Sequence, residues 1–320
     1  MMQIIDQPFT SEGKSPAQAA EGCLLAHACG NALGNGYESW PRERLPRIDG
    51  LDMPERFLPT GYWTDDTGLL LCLADSLVAQ GFDPRDQMQR YLAYRDQGEG
   101  WPDAGLPPPL GNTMNQALDA FKRTDEVFAG STSALASGNG ALMRMPALAL
   151  WSLSQPSSDL LETWIVDATR TTHASPLCLE ASRLLVFLLL HLFQAAPDDS
   201  SLAEQLTSQA DEIWAEEAIA DLAEGLYLEK PRDLVPSGGF VAHTLEAALW
   251  SLANSPDLKT ALLKAVNLGG DCDTVAAITG ALGGAFYGVE ALPREWRDQL
   301  LQAERLRTTA RQLLAGNSLT

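Results

Sequence analysis

Apolar residues recur at helical spacing along most of the 320-residue chain, and alternating strand-like runs are scarce. The spacing predicts helices over 21–34, 177–193, 201–227, 244–253, 257–266 and 294–314. In the first of them Gly22, Ala26 and Gly30 recur every four residues, so one face carries almost no side chain and another helix can approach closely. A second run of small residues, Val275 to Ala285, has the same character. No 20- to 50-residue period repeats, which argues against a solenoid. No linker or charge block divides the chain, so the expectation is a flexible polar arm over 1–17 and a single compact all-α domain over 18–320.

Two helix starts carry paired carboxylates. Thr64-Asp65-Asp66-Thr67 leads into the apolar run that begins at Gly68, and Asp271-Cys272-Asp273-Thr274 leads into the small-residue run. Thr and Asp are favoured N-caps, and carboxylates there complement the helix dipole, which suffices for either stretch alone. Both helix bodies read as buried, however, and four carboxylates at buried ends repel one another unless a cation neutralises them. Asp65, Asp66, Asp271, Asp273 and Glu38 offer only oxygen, with the hydroxyls of Thr64 and Thr274 beside them, and no His or Cys spacing suggests zinc. Hard ions, Mg²⁺ or Mn²⁺, follow from that donor set, and so many carboxylates suit two ions about 4 Å apart better than one. Glu38 lies on a loop of turn formers and is open to two readings, a carboxylate that swings over the site or a solvated surface residue.

Charge and cysteine content narrow the partners. A net charge of -20 opposes binding to a phosphate backbone, so nucleic acid is not expected as a partner. The five cysteines are odd in number and form no CxxC pair, which fits a reduced, cytoplasmic protein. The first residues lack the basic and apolar regions of a signal peptide, and the apolar run 184–193 is short for a bilayer, so no membrane association is expected.

Several glycine turns open helices between the acidic stretches. Gly138-Asn139-Gly140 precedes one, where free backbone N–H groups suit a phosphate, although such loops are common. His173 stands at another helix entrance, as a ligand contact or as a capping or core residue. Ser237-Gly238-Gly239 leads to Phe240, an aromatic placed just after its turn. Trp101 to Gly111 is Pro-rich loop, followed by a helix start at Asn112.

Taken in order, the stretches Gly22 to Glu38, Thr64 to Thr67, Gly138 to Arg144, Thr172 to Ser175, Gly239 to Trp250 and Val266 to Thr274 resemble the ADP-ribosylglycohydrolase family over roughly residues 20–296. That resemblance implies an orthogonal helical bundle with a central dinuclear Mg²⁺ or Mn²⁺ cleft that hydrolyses the bond between ADP-ribose and a modified protein side chain, commonly arginine. It implies Thr64, Asp65, Asp66, Asp271, Asp273 and Thr274 as metal ligands and Asp66 as the base, with Glu38, a mobile glutamate, as competitor. It places the substrate against Glu38, Gly138, Asn139, Gly140, His173, Phe240, Asn267 and Gly270. The implied partners are an ADP-ribosylated protein, the product ADP-ribose and an ADP-ribosyltransferase that this chain counteracts or occludes. Other linkages, to serine, nucleic acid or a free small molecule, remain open alternatives. Two positions depart from the pattern: Asn31 stands where the family usually has Asp, and Leu110 where some members have Asp before the loop glycine.

Overall fold

The computed structural model describes residues 13–51, 59–101, 108, 110–155, 159–196 and 201–316. Its helices are α1 (Pro16–Gly34), α2 (Asp65–Gln80), α3 (Pro84–Gln97), α4 (Asn112–Thr124), α5 (Met145–Ser152), α6 (Leu161–Arg170), α7 (Pro176–Gln194), α8 (Leu202–Leu206), α9 (Glu217–Ala223), α10 (Val241–Ala253), α11 (Leu258–Val266), α12 (Cys272–Tyr287), α13 (Arg294–Gln299) and α14 (Ala303–Ala315). Among the described residues there is no strand, only three isolated bridges: Trp40 with Gly270, Ser131 with His173, and Gly138 with Phe240.

The centre is an antiparallel pair, α1 against α12, in backbone contact. A Cβ on Gly22 would lie 2.4 Å from the Gly284 carbonyl oxygen, one on Gly30 would lie 2.1 Å from that of Ala276, and one on Gly34 would lie 2.4 Å from Asp273 Cα. Gly280 answers from α12, 2.1 Å from the Ala26 carbonyl oxygen by the same measure. The four-residue spacing of small residues thus becomes a tight crossing that at Gly22, Gly30, Gly34 and Gly280 leaves no room for a Cβ. Helices α2, α5, α7, α10, α11 and α14 close round this pair. The five cysteines are all buried and unpaired, and Cys272 faces the core.

Three sequence expectations shift. Helix α1 begins at Pro16, not 21: Ser15 caps it with Gln18 in a reciprocal capping box. Lys14 is buried, and its ammonium donates to the carbonyls of Leu192, Ala195 and Phe286, near the C-terminal ends of α7 and α12. Residues 14–17 therefore belong to the packed domain, whereas 1–12 of the expected arm lie outside the described residues. The helix expected over 201–227 is broken into α8 and α9, because Glu180 on α7 accepts the backbone N–H groups of Ala215 and Glu216 and holds that segment out of helix. The helix over 294–314 is interrupted likewise: Leu301 donates its N–H to Gly61, accepts from Trp63 Nε1, and Gln302 takes a left-handed φ of 55°. Helix α7 runs 19 residues, long and apolar enough to cross a bilayer by length and composition, yet most of it is buried in the protein core.

Candidate active site

The end of α1 brings the two acidic helix starts together through Asn31. Its Oδ1 accepts the Thr64 N–H at 2.7 Å, which fixes the amide orientation, since a backbone N–H can only donate. Its Nδ2 then faces acceptors alone: Thr64 Oγ1 at 2.7 Å, Asp66 Oδ2 at 2.6 Å and Asp273 Oδ2 at 3.4 Å. Thr64 Oγ1 lies 3.2 Å from Asp66 Oδ2 and 3.1 Å from Asp273 Oδ2, so its single proton serves one of them at a time. Thr67 donates to Asn31 Oδ1 at 3.1 Å. One turn earlier on α1, His27 hydrogen-bonds the Met143 carbonyl through Nε2 at 2.9 Å, tying the same helix to the start of α5.

The remaining wall comes from loops held by the three bridges. Asp271 stands at the N-cap of α12 with no side-chain bond to the helix backbone; Thr274 Oγ1 donates to its Oδ1 at 2.9 Å and Asn139 Nδ2 to its Oδ2 at 2.6 Å. Asn139 Nδ2 also reaches Thr244 Oγ1 at 2.9 Å. Gly270, at φ +66°, donates to the Trp40 carbonyl and accepts from Ser39, so the loop carrying Glu38 is joined to the residue before Asp271. Arg42 braces that loop, donating to the carbonyls of Leu268, Arg232 and Val235. The result is a cleft of about 270 Å³ lined by Glu38, Asp65, Asp66, Asp271, Asp273 and Thr274 together with Gly111 to Met114, Gly138 to Gly140, Met143, His173 and Gly239.

The electrostatics of this cleft are those of crowded acids. Burial, then the neighbouring carboxylates, pushes Asp65, Asp66 and Asp273 well above the usual carboxylate range. Glu38 is raised too, by desolvation and by Asp271. Asp66 Oδ1 and Asp273 Oδ1 are buried with no hydrogen-bond partner. A buried polar atom left so costs about 1–3 kcal/mol, and more if charged. Oxygen-only donors, bare lone pairs and mutual repulsion together fit a hard divalent cation. The expected dinuclear centre is not laid out as a ready-made cage, for among the described residues no three His, Cys, Asp or Glu side chains converge on one point.

Most predicted residues meet here, but four take other places. Asn267 spends its side chain on both backbone groups of Ile48 and on the Leu263 carbonyl, and so anchors a loop outside the cleft. Gly270 lies behind the wall as the partner of Trp40. Phe240, 40% exposed, stacks edge-on against His243 over a neighbouring cavity of about 370 Å³. Thr64 lies beneath the carboxylates, bonded to Asn31 and not on the cleft surface. Leu110 packs against the core and leaves Gly111 and Asn112 at the rim. Asn31 and Arg144 have roles that the sequence reading did not give them. The signal for Asn31 was present: His27 and Asn31, four apart, are two polar side chains in an otherwise apolar stretch of helix.

The chain belongs to the ADP-ribosylglycohydrolase family, whose model matches residues 13–319. It is 33% identical over 303 residues to the ADP-ribosylarginine hydrolase Tri1 of Pseudomonas putida, covering 93% of this chain and 79% of that protein. The Tri1 of Serratia proteamaculans is 31% identical, covering 92% and 78%. The ADP-ribosyl-[dinitrogen reductase] glycohydrolase of Rhodospirillum rubrum is 28% identical over 90% of this chain and 92% of its own length. A solved structure described as an ADP-ribosylglycohydrolase-related protein complex superposes with a TM-score of 0.80 at 34% identity, covering 94% of this chain and 99% of that one.

Proposed function

We propose that this enzyme removes ADP-ribose from arginine side chains of modified proteins, with Mg²⁺ or Mn²⁺, two ions in all, held by Asp65, Asp66, Asp271, Asp273 and Thr274, with Thr64 bracing Asp66 and Asp273 from beneath. The observation that carries the reading is the pair of buried, partnerless oxygens on Asp66 and Asp273, set in an acidic cleft edged by glycine loops. The names of the two Tri1 relatives support arginine as the linkage. The departure at Asn31 keeps the cluster tied, through a neutral donor where a further carboxylate would add repulsion.

When bound, the cations would orient ribose hydroxyls and make the attacking water more acidic. The chain supplies the rest. Asp66 accepts the water's proton as oxygen adds to the ribose C1, and the C1–N bond breaks so that the guanidine leaves with the electron pair and takes up a proton. Glu38 holds the leaving side chain or acts as the base in place of Asp66, a reading supported by its place in the cleft lining beside Asp271. Gly138, Gly140 and His173 face the pyrophosphate, and Asn139 holds Asp271 in place.

The test is turnover on arginine-, serine- and DNA-linked ADP-ribose with Mg²⁺, with Mn²⁺ and with chelator. Release from arginine alone, abolished by chelator, is expected, and Asp66→Asn with both metals bound and full turnover would rule out that residue as base. Release from none of the three, beside tight binding to an ADP-ribosyltransferase, would instead favour occlusion of the transferase.

A further inference from the structure

We propose that Arg144 and Thr172 are positioning residues that lock His173 in the tautomer protonated on Nε2, so that it presents a single neutral N–H donor to an anionic oxygen in the cleft.

The proton assignment follows from donor counting. A guanidinium has donors only. Arg144 Nη2 lies 2.6 Å from Thr172 Oγ1, so that oxygen accepts there. Its one hydroxyl proton remains, and the other partner of that oxygen is His173 Nδ1 at 2.8 Å. Thr172 therefore donates to Nδ1, Nδ1 carries the lone pair and Nε2 carries the hydrogen. Thr171 repeats the pattern, accepting from Arg144 Nη2 at 3.2 Å while donating to the Ala168 carbonyl at 2.7 Å.

The direction of that N–H follows from the glycine loop. Nε2 would lie 3.2 Å from a Cβ on Gly140 and 3.7 Å from one on Gly138, and all three residues line the cleft. Nε2 has no hydrogen-bond partner among the described residues. Glycine at both positions thus leaves a bare donor open to a ligand.

Arg144 adds a charge as well as a hydrogen bond. It is wholly buried, and its partners are the carbonyls of Gly140 and Ala168, two threonine hydroxyls, Met114 Sδ and the face of Tyr91 at 4.7 Å. No carboxylate is among them, so a cation stands uncompensated behind the Gly138–Gly140 loop and favours an anion in front of it. Burial, and then the same charge, hold the imidazole down at about 3, so the donor stays neutral across the physiological range. Identifying the anion as the pyrophosphate of ADP-ribose rests on the function proposed above; the tautomer does not.

The experiment joins a ligand-free and a ligand-bound readout on the full chain. Long-range ¹H–¹⁵N spectra resolve the ring nitrogens of its 4 histidines, and His173→Asn assigns the signal. The expected result is one Nε2–H tautomer, unchanged from pH 5.5 to 8, kept in Thr172→Ser and lost to a mixture in the near-isosteric Thr172→Val. ADP-ribose should bind Thr172→Val about tenfold more weakly by calorimetry, as for loss of a hydrogen bond to a charged group, with the kinetic effect larger on KM than on kcat and rescued by serine. A proton on Nδ1 in the parent protein, or a tautomer indifferent to valine, overturns the proposal. A shifted tautomer with unchanged ADP-ribose affinity overturns the donor role. Failure of the parent protein to bind ADP-ribose at all, with the Nε2–H tautomer present, would count against the proposed function and leave the lock standing.

Discussion

Adding one methyl group at three points along the α1–α12 crossing separates stability from activity. In Gly34→Ala the new Cβ would lie 2.4 Å from Asp273 Cα and 2.5 Å from its backbone nitrogen. That is about 1 Å short of the ~3.5 Å at which carbon atoms rest. Gly22→Ala and Gly30→Ala meet backbone as closely, at 2.4 Å and 2.1 Å, but farther from the cleft. Overpacking costs about 1–3 kcal/mol and occasionally more, and here the atoms met are backbone that no side-chain turn can clear, so even after alanine returns about 1 kcal/mol of helix propensity each variant should lose about 2 kcal/mol or more. Activity should grade differently. A shift of about 1 Å at the reacting geometry costs ~100-fold, which is the loss expected for Gly34→Ala. Gly22 lies about 18 Å back along the helix, so its variant should keep turnover within a few-fold. Urea denaturation gives the stabilities, and release of ADP-ribose at saturating divalent cation gives the rates. Equal activity losses at Gly22 and Gly34, or full kcat in Gly34→Ala, would refute the claim that this crossing places Asp273.

Asn31→Asp replaces the donor to Asp66 and Asp273 with another carboxylate; the metal-free protein should lose about 2–3 kcal/mol in urea denaturation while calorimetry shows tighter divalent-cation binding, and weaker binding would contradict the neutral-donor account. The buried histidines give a pH signature. His27 is pushed down to about 4, so below its ordinary value of ~6.5 the unfolded chain takes up a proton that the folded chain refuses, and stability falls as pH drops toward 4. Relative to His27→Gln, the unfolding free energy should therefore shrink by about 2 kcal/mol between pH 7 and pH 5, and a difference independent of pH would show that His27 is not held neutral.

What the sequence disclosed was what neighbouring residues encode. Small residues four apart, Gly22, Ala26 and Gly30, announced the α1 crossing, and Asp beside Thr marked both acidic helix starts, because spacing on a helix and the preferences of helix starts are local. What it hid depended on distant partners. Residues 207–216 and 300–302 have helical composition, yet Glu180 and the backbone of Gly61 draw them out of helix. Asn267 sits beside the acidic motif in sequence, but Ile48 claims its side chain. Arg144 could be quoted within a motif without its purpose showing, because that purpose lies in Thr172 and the histidine after it.

The bond between Asn31 and Asp273 spans 242 residues, and that distance sets a timetable for the emerging chain. Helix α1 is apolar around nearly its whole circumference, with every residue from Ala19 to Gly34 buried in the finished protein. It leaves the ribosome well ahead of α12, the surface made to receive it, with 242 residues between the two bonded side chains. At ~5–20 residues per second the wait is about 12–50 s, during which a sticky helix has no permanent partner and is a natural client for a chaperone. No piece of this protein that stops before Asp273 carries the whole acidic cluster, so whatever the cleft does must wait for α12 to arrive.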